Sequence, residues 1–308
     1  MVQMNKRKIL VLGAGGMLGH VLFTRLSDSD KLNVAGTVRH VGKLSSILTD
    51  ANRVKIIEGV EADRFDTVER AIKASKPELV INCIGIIKQL PEAKDSIISI
   101  NINSLFPHRL AKLCRDSGIR LVHFSTDCVF DGKKGNYSED DLPNAEDLYG
   151  RSKFMGEVSG PKCMTIRTSI IGHELIGNYG LVEWFLSQKG SVQGYKKAIF
   201  SGFPTVEMAD IIRDYVVPDD RLEGLYHISA RPISKLDLLK IVAERYGKQI
   251  SIHSSDKVNE NRSLNSGKFK HISGYEPPKW EELIEKMHDH YIKSPCYNKN
   301  IGDLQDYL

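Results

Sequence analysis

Lys8-Ile-Leu-Val-Leu-Gly13-Ala-Gly-Gly16-Met-Leu-Gly19 decides the fold of this chain. The apolar run from Lys8 to Gly13 predicts a short buried strand of a parallel sheet. Met17 to Leu26 predicts a helix directly after it. Between the two, Gly13 permits a tight turn and Gly16 lets backbone N–H groups approach an anion. Gly19 lets the helix pack closely on the strand. A string of three glycines is weak by itself; its place between a strand and a helix gives it weight. The stretch predicts a dinucleotide site built from Gly13, Gly16, Met17, Leu18 and Gly19, with the pyrophosphate at the helix N-terminus. The bland alternative is a Gly-rich turn with no ligand.

Outward from this stretch the pattern repeats. Strands are predicted at Leu32 to Val38, Val54 to Glu58, Glu78 to Cys83, Arg120 to Ser125 and Cys163 to Thr168. Helices are predicted at Phe65 to Ser75, around Ile102 to Leu113, and at Asp147 to Glu157. Alternating strands and helices imply an α/β Rossmann-type, doubly wound parallel sheet. After about residue 172 the rhythm loosens. Helices are predicted at Val182 to Gln188, Met208 to Val217 and Lys235 to Tyr246. The reading is a Rossmann domain over 1–172, with about 203–228 returning to it. A smaller α/β substrate domain covers 173–292, and a polar tail covers 293–308.

Composition narrows the class. With 41% hydrophobic and 27% charged residues in 308, the chain is ordinary globular protein. A net charge of +4 with no basic run argues against a nucleic-acid partner. Five cysteines without a Cys-x-x-Cys pair predict neither a disulfide framework nor a zinc site. Cys83, Cys114 and Cys163 read as small core residues, and a reducing, cytoplasmic setting fits. No apolar run approaches a membrane span, and the polar N-terminus is not a signal peptide.

The chemistry is concentrated in Tyr149-Gly-Arg-Ser-Lys153. Helical spacing of four puts the phenol and the ammonium on one face. A phenol is a poor acid at neutral pH, and a neighbouring cation stabilises its phenolate. The pair reads as a proton-delivery device. Thr126 and Asp127 close the fifth strand, where an open parallel sheet binds ligands, and can hydrogen-bond a substrate carbonyl. The bland alternatives are a strand threonine, a turn aspartate, a packed tyrosine and a solvated lysine. Asn82, Cys83 and Gly85 end the fourth strand, where backbone can meet a nicotinamide; the alternative for Gly85 is a glycine that simply allows a turn. Asn103 reads either as part of a proton relay or as a polar residue at a helix N-terminus. Arg39, after the second strand, stands where NAD-selective folds place an acid; it either meets a 2′-phosphate, which favours NADPH over NADH, or is a solvated surface arginine. Glu61, Ala62 and Asp63 flank the adenine edge or are simple loop residues.

Taken together, these motifs resemble an extended short-chain dehydrogenase/reductase, closest to the dTDP-4-dehydrorhamnose reductase (sugar-nucleotide-binding) group. The resemblance spans about residues 7 to 290. It rests most on Gly-Ala-Gly-Gly-Met-Leu-Gly (13–19), Ser-Thr-Asp-Cys-Val-Phe-Asp-Gly (125–132) and Tyr-Gly-Arg-Ser-Lys-Phe-Met-Gly-Glu (149–157). It implies NADPH-dependent reduction of a 4-keto-6-deoxy sugar on a nucleoside diphosphate, in surface polysaccharide synthesis. Tyr149 would donate the proton. Lys153 would tune Tyr149 and bind the nicotinamide ribose, and Thr126 and Asp127 would orient the carbonyl. Lys88, Thr126, Asp127, Val129, Arg167 and Arg262 form the implied substrate side, with Lys196 a solvated charge.

Two departures touch the sugar side. Ile170-Ile171-Gly172 stands where the group usually has an aromatic residue. Ile86-Ile87-Lys88-Gln89 replaces polar and aromatic contacts after the fourth strand. A reductase of UDP-linked 4-keto N-acetylamino sugars therefore stays open as a substrate alternative, and a sugar-nucleotide epimerase or dehydratase as an alternative chemistry on the same fold, against which Arg39 counts. A non-catalytic NADP-binding regulatory subunit is the alternative from another class. The expected assembly is a monomer or homodimer, with no metal, membrane or nucleic-acid partner.

Overall fold

In a computed structural model that describes residues 6–41 and 55–297, the chain divides into two compact units, each assembled from three segments. The first comprises Met1–Thr126, Glu146–Arg167 and Ala209–Tyr226; the second comprises Asp127–Ala145, Thr168–Met208 and His227–Leu308. The strands are β1 (Arg7–Leu12), β2 (Leu32–Thr37), β3 (Ile56–Ile57), β4 (Leu79–Asn82), β5 (Arg120–Phe124), β6 (Cys163–Arg167), β7 (Ile170–Ile171), β8 (Ser191–Phe200), β9 (Phe203–Pro204), β10 (Gly224–His227), β11 (Ile233–Ser234) and β12 (Ser251–Asn261). The α-helices are α1 (Met17–Ser27), α2 (Phe65–Ser75), α3 (Ser96–Ser99), α4 (Phe106–Asp116), α5 (Leu148–Met155), α6 (Leu181–Ser187), α7 (Thr205–Ile211), α8 (Lys235–Arg245), α9 (Gly267–Ser273) and α10 (Trp280–Lys293).

The first unit is organised by a seven-stranded sheet of order β10-β6-β5-β4-β1-β2-β3. β1 pairs in parallel with β2 on one side and β4 on the other. The chain therefore winds outward first one way and then the other, and the switch point lies between β1 and β4. Ligands in such sheets bind beyond the carboxyl ends of the strands at that point. Leu10, Leu12, Val80 and Leu121 face Phe65, Val68 and Ile72 of α2 and Phe106, Leu110 and Cys114 of α4. These helical residues recur at spacings of three and four, one stripe per helix. Burying each large side chain contributes about 1.5–3 kcal/mol. Ile9 and Val11 alternate to the opposite face and are also fully buried, so both faces of the sheet are covered.

The returning segment is held by charge. Arg25 of α1 forks onto Asp210 at 2.7 and 3.0 Å. The guanidinium of Arg120, 3% exposed, donates to the carbonyls of Val216 and Leu222 at 2.7 and 3.2 Å.

In the second unit a three-stranded sheet has the order β11-β8-β12. β8 and β12 run parallel, with a register shift between Ser255 and Asn259. α8 packs on β8, and α10 packs on α8. The buried His173 ring joins several of these parts. It contacts Glu183 at 2.6 Å and the Tyr246 hydroxyl at 2.8 Å, and stacks on Tyr291.

Several expectations are corrected. The run expected as one helix around Ile102 to Leu113 is α3, a π-helical stretch (Ile100–Leu105), then α4. The helix expected from Met208 begins at Thr205 and ends as a second π-helical stretch, Ile212–Val216. Residues 127–145, expected in the first domain, belong to the second unit, and the returning segment is Ala209–Tyr226 rather than 203–228. The third strand is only Ile56–Ile57, and Val54 lies outside the described residues. Helix α10 continues to Lys293; residues 298–308 of the expected tail lie outside the described residues.

No helix among the described residues is long and apolar enough to cross a membrane. Among the same residues, no group of three or more His, Cys, Asp or Glu side chains is placed to hold a metal ion.

Candidate active site

The loops after β1 and β4 meet at the switch point. Gly13 has φ +81°, a backbone conformation open to glycine, and a Cβ there would lie 3.0 Å from the Ile84 side chain. At Gly19 a Cβ would fall 2.0 Å from the Gly13 carbonyl oxygen, so only glycine lets α1 sit this close to the loop. Gly16 caps α1 in an extended conformation without a side-chain hydrogen bond. The first-turn N–H groups, on Met17 and Leu18 among others, are thus left without a side-chain acceptor. This bare helix end, with no Cβ in front of it, fits a pyrophosphate. Arg39 lies exposed just past β2, and among the described residues its guanidinium meets no carboxylate. Glu61 reaches toward Arg64 at 3.8 Å, Ala62 is buried, and Asp63 accepts from the Arg64 N–H.

Asn103 fixes the loop after β4. Its Oδ1 accepts from the Ile86 N–H at 2.9 Å, and its Nδ2 donates to the Ile86 carbonyl at 3.1 Å and to Ser152 Oγ at 3.3 Å. One amide thus mimics a strand partner for Ile86. The residue is 1% exposed and sits in the first π-helical stretch, not at a helix N-terminus. π-Bulges of this kind redirect side chains at functional sites. A Cβ on Gly85 would lie 3.3 Å from Asn103 Oδ1 and 3.7 Å from Lys153 Nζ, so this loop passes directly over the lysine. Cys83, expected in the core, is only half-buried because the strand ends at Asn82. Burial pushes its thiol up, and the nearby Lys153 opposes the shift.

Helix α5 carries Tyr149 and Lys153. Asp147 caps it, accepting from the Gly150 N–H at 2.8 Å. Tyr149 is half-buried. Lys153 is 6% exposed, and its Nζ donates to the Phe124 carbonyl, the last residue of β5, at 2.7 Å. Burial brings its amine down to about 8, with Glu157 the chief opposing influence. The lysine stays protonated at neutral pH with little to spare. Gly156 lets α5 press on the π-helical stretch: a Cβ there would lie 1.8 Å from the Asn103 carbonyl oxygen.

Beneath the site, Asn82 accepts from the Ile84 N–H at 3.1 Å, which turns its amide nitrogen toward His123 Nδ1 at 3.0 Å. His123 is fully buried, and burial beside Lys153 keeps its imidazole well below the ordinary value. It is therefore neutral, with the proton on Nε2.

Thr126 ends the first unit, 6% exposed; Asp127 and Val129 open the second, both buried. Among the expected diphosphate cations, Arg167 is corrected. It is 2% exposed, and its Nε and Nη2 donate to Glu157 at 2.7 and 2.8 Å. It serves as a carboxylate partner rather than an open cation. Lys88 pairs with the capping Asp147 at 2.9 Å. Arg262 donates to the Phe130 carbonyl at 2.7 Å and pairs with Glu260 at 2.5 Å, within the second unit. Lys196 forms an exposed 3.4 Å pair with Asp256. The roles of Glu157 and His123 were not expected. The former ends the 149–157 motif four residues past Lys153, which was a usable signal; the latter is one more strand residue with no signal of its own.

Residues 7–293 match the family model of the RmlD substrate binding domain. A dTDP-4-dehydrorhamnose reductase of Aggregatibacter actinomycetemcomitans is 24% identical over 307 residues, covering 91% of this chain and 98% of that protein. A methionine adenosyltransferase 2 subunit beta of Danio rerio is 25% identical, covering 78% and 74%. The crystal structure of dTDP-4-dehydrorhamnose reductase from Bacillus anthracis in complex with NADP superposes with a TM-score of 0.76 at 20% identity, covering 93% and 99%, and so shares the fold. With nearly its whole length matched, the chain belongs to the RmlD substrate-binding-domain family.

Proposed function

We propose that the protein reduces the 4-keto group of a nucleotide-linked 4-keto-6-deoxy sugar, as a dTDP-4-dehydrorhamnose reductase does, with NADPH as reductant. The observation that carries this is Lys153: a buried ammonium fixed to the end of β5, one helical turn from a tyrosine and directly under the loop from β4. A relative named dTDP-4-dehydrorhamnose reductase, aligned over nearly the full length of both chains, supports the same reading.

Gly13, Gly16, Met17, Leu18 and Gly19 hold the pyrophosphate, and Arg39 the 2′-phosphate. Glu61, Ala62 and Asp63 lie along the adenine, Cys83 and Gly85 along the nicotinamide, and Lys153 at its ribose. The chemistry supplied by NADPH, when bound, is hydride donation. Tyr149 gives its phenolic proton to the oxygen that becomes the C4 hydroxyl, and the Lys153 ammonium stabilises the phenolate left behind. Such general acid catalysis contributes about 10²–10⁴-fold in rate. Thr126 and Lys88 are the first unit's candidates for contacting the substrate, and Asp127, Val129 and Arg262 are the second unit's.

The test is NADPH oxidation with dTDP-4-keto-L-rhamnose, run beside UDP-linked 4-keto-2-acetamido sugars, for the wild type and Tyr149→Phe. Turnover on the dTDP compound, lost in the variant while NADPH still binds, is expected. Turnover on a UDP compound alone reassigns the substrate. Full activity in Tyr149→Phe removes the tyrosine from the mechanism. NADPH binding without turnover of either class favours the non-catalytic NADP-binding subunit, in keeping with the Danio rerio relative's name as a subunit.

A further inference from the structure

Glu157 lies where the ends of β5 and β6 meet the end of α5. Its Oε1 accepts from Ser125 Oγ at 2.7 Å, and its two oxygens take the fork of Arg167. Ser125 is itself fixed by its N–H, which donates to the Ile166 carbonyl at 2.7 Å. Two strands thus converge on one carboxylate that is only 11% exposed. The bland explanation is a staple joining the helix end to the sheet. A staple, however, needs no particular relation to the lysine. Glu157 lies four residues beyond Lys153, just past the last turn of α5, and Lys153 hangs from the Phe124 carbonyl, next in the chain to the Ser125 that holds Glu157.

We propose that Glu157, oriented by Ser125 and Arg167, is a positioning residue whose carboxylate is the fixed counter-charge that keeps the Lys153 amine protonated. The inference deepens the proposed function and rests on Tyr149 and Lys153 being its proton-delivery pair.

The groups around the lysine make the need plain. Tyr149 shares its helix, neutral His123 faces it from β5 with His108 beyond, and Cys83 faces it from the loop after β4. None of these carries a negative charge at neutral pH in its ordinary state. Burial drives the amine toward the neutral form, and Glu157 is the largest opposing influence. A neutral lysine would leave the tyrosine without the cation that makes it an adequate acid. Arg167 then has a double effect: it holds the carboxylate in place and consumes part of its field. The amine is consequently left close to its titration point rather than far above it.

The experiment is an NMR titration of lysine Nζ in the cofactor-free protein, with Lys153→Met assigning the resonance. Wild type, Glu157→Gln and Glu157→Asp are compared, with thermal unfolding measured in parallel. Glu157→Gln is expected to weaken proton binding at Lys153 by about tenfold or more, moving the midpoint at least one pH unit lower. The alkaline limb of activity moves with it. Glu157→Asp keeps the charge and is expected to restore most of the midpoint, which keeps the proposal testable where the glutamine variant folds poorly. A folded Glu157→Gln protein with an unmoved Lys153 midpoint overturns the counter-charge role and leaves the staple. The titration needs no sugar substrate, so its outcome is separate from that of the Tyr149→Phe assay.

Discussion

Asn103 offers a sharp test of how the site is held. Replacing it with alanine removes both hydrogen bonds to the Ile86 backbone and the weaker one to Ser152. At about 1 kcal/mol net per good bond, plus the cost of stranding partly buried backbone groups, the loss comes to about 2–4 kcal/mol. Asn103→Asp is more incisive. One carboxylate oxygen still accepts from the Ile86 N–H, but the other now faces the Ile86 carbonyl oxygen, where a donor stood at 3.1 Å. Two acceptors then confront each other in a buried position, so the introduced acid titrates above its usual range in the folded state. A group whose folded pKa is raised stabilises fully below its unfolded pKa, near 3.9, and loses that contribution as pH rises through the folded value. Urea unfolding at pH 7 is therefore expected to rank wild type above Asn103→Ala and Asn103→Ala above Asn103→Asp. At pH 5 Asn103→Asp recovers relative to wild type, as its proton bridges to the carbonyl. Since the loop lies over Lys153, both variants also raise the KM for NADPH. An Asn103→Asp protein as stable as wild type at both pH values would refute the reasoning.

Three further outcomes follow from the same geometry. Gly156→Ala pushes a methyl group into the Asn103 carbonyl at 1.8 Å, so α5 must shift; about 1–3 kcal/mol of stability, seen as a lower Tm, and most of the activity are expected to go with it. Arg39→Asp is expected to turn coenzyme preference from NADPH toward NADH by about tenfold or more, read from the ratio of kcat/KM values. With the Lys153 amine at about 8, activity should fall as pH rises through 8, and in Lys153→Met that limb disappears. Its effect on stability has the opposite sign. Between about 8 and its ordinary 10.5 the unfolded chain binds the proton and the folded chain does not, so stability rises with pH by about 3 kcal/mol relative to Lys153→Met.

The first unit was largely legible because its signals are local. A continuous run such as Ile-Leu-Val-Leu and helical stripes such as Phe65, Val68 and Ile72 mark their elements with short-range periodicity. The glycines of the first loop, and the tyrosine and lysine of α5, likewise sit at spacings that local geometry dictates. The π-helical stretch was not legible, because one extra residue per turn leaves no mark in composition. The role of Asn103 was hidden with it. β8 and β12 escaped for another reason: Lys196-Lys197 interrupts the former, and the latter, Ser-Ile-His-Ser-Ser-Asp-Lys-Val-Asn-Glu-Asn, has almost no apolar alternation. Long-range pairing makes them strands. Arg167 was misread because a strand-end arginine looks the same whether it faces a ligand or a buried carboxylate.

The interleaved segments of the first unit also have a consequence for how the chain is made. β6 is complete at Arg167, but its neighbour in the sheet, β10, begins only at Gly224. At synthesis rates of 5–20 residues per second, that gap of roughly 60 residues keeps the β6 edge unpaired for about 3–12 s. Bare edges of this kind template association between chains. The cations of Arg7 and Arg120, placed early, wait through the same interval for Val216, Val217 and Asp220 to arrive. Shortening the chain anywhere before residue 226 therefore does not yield a smaller version of the first unit; it yields one with its seam permanently open.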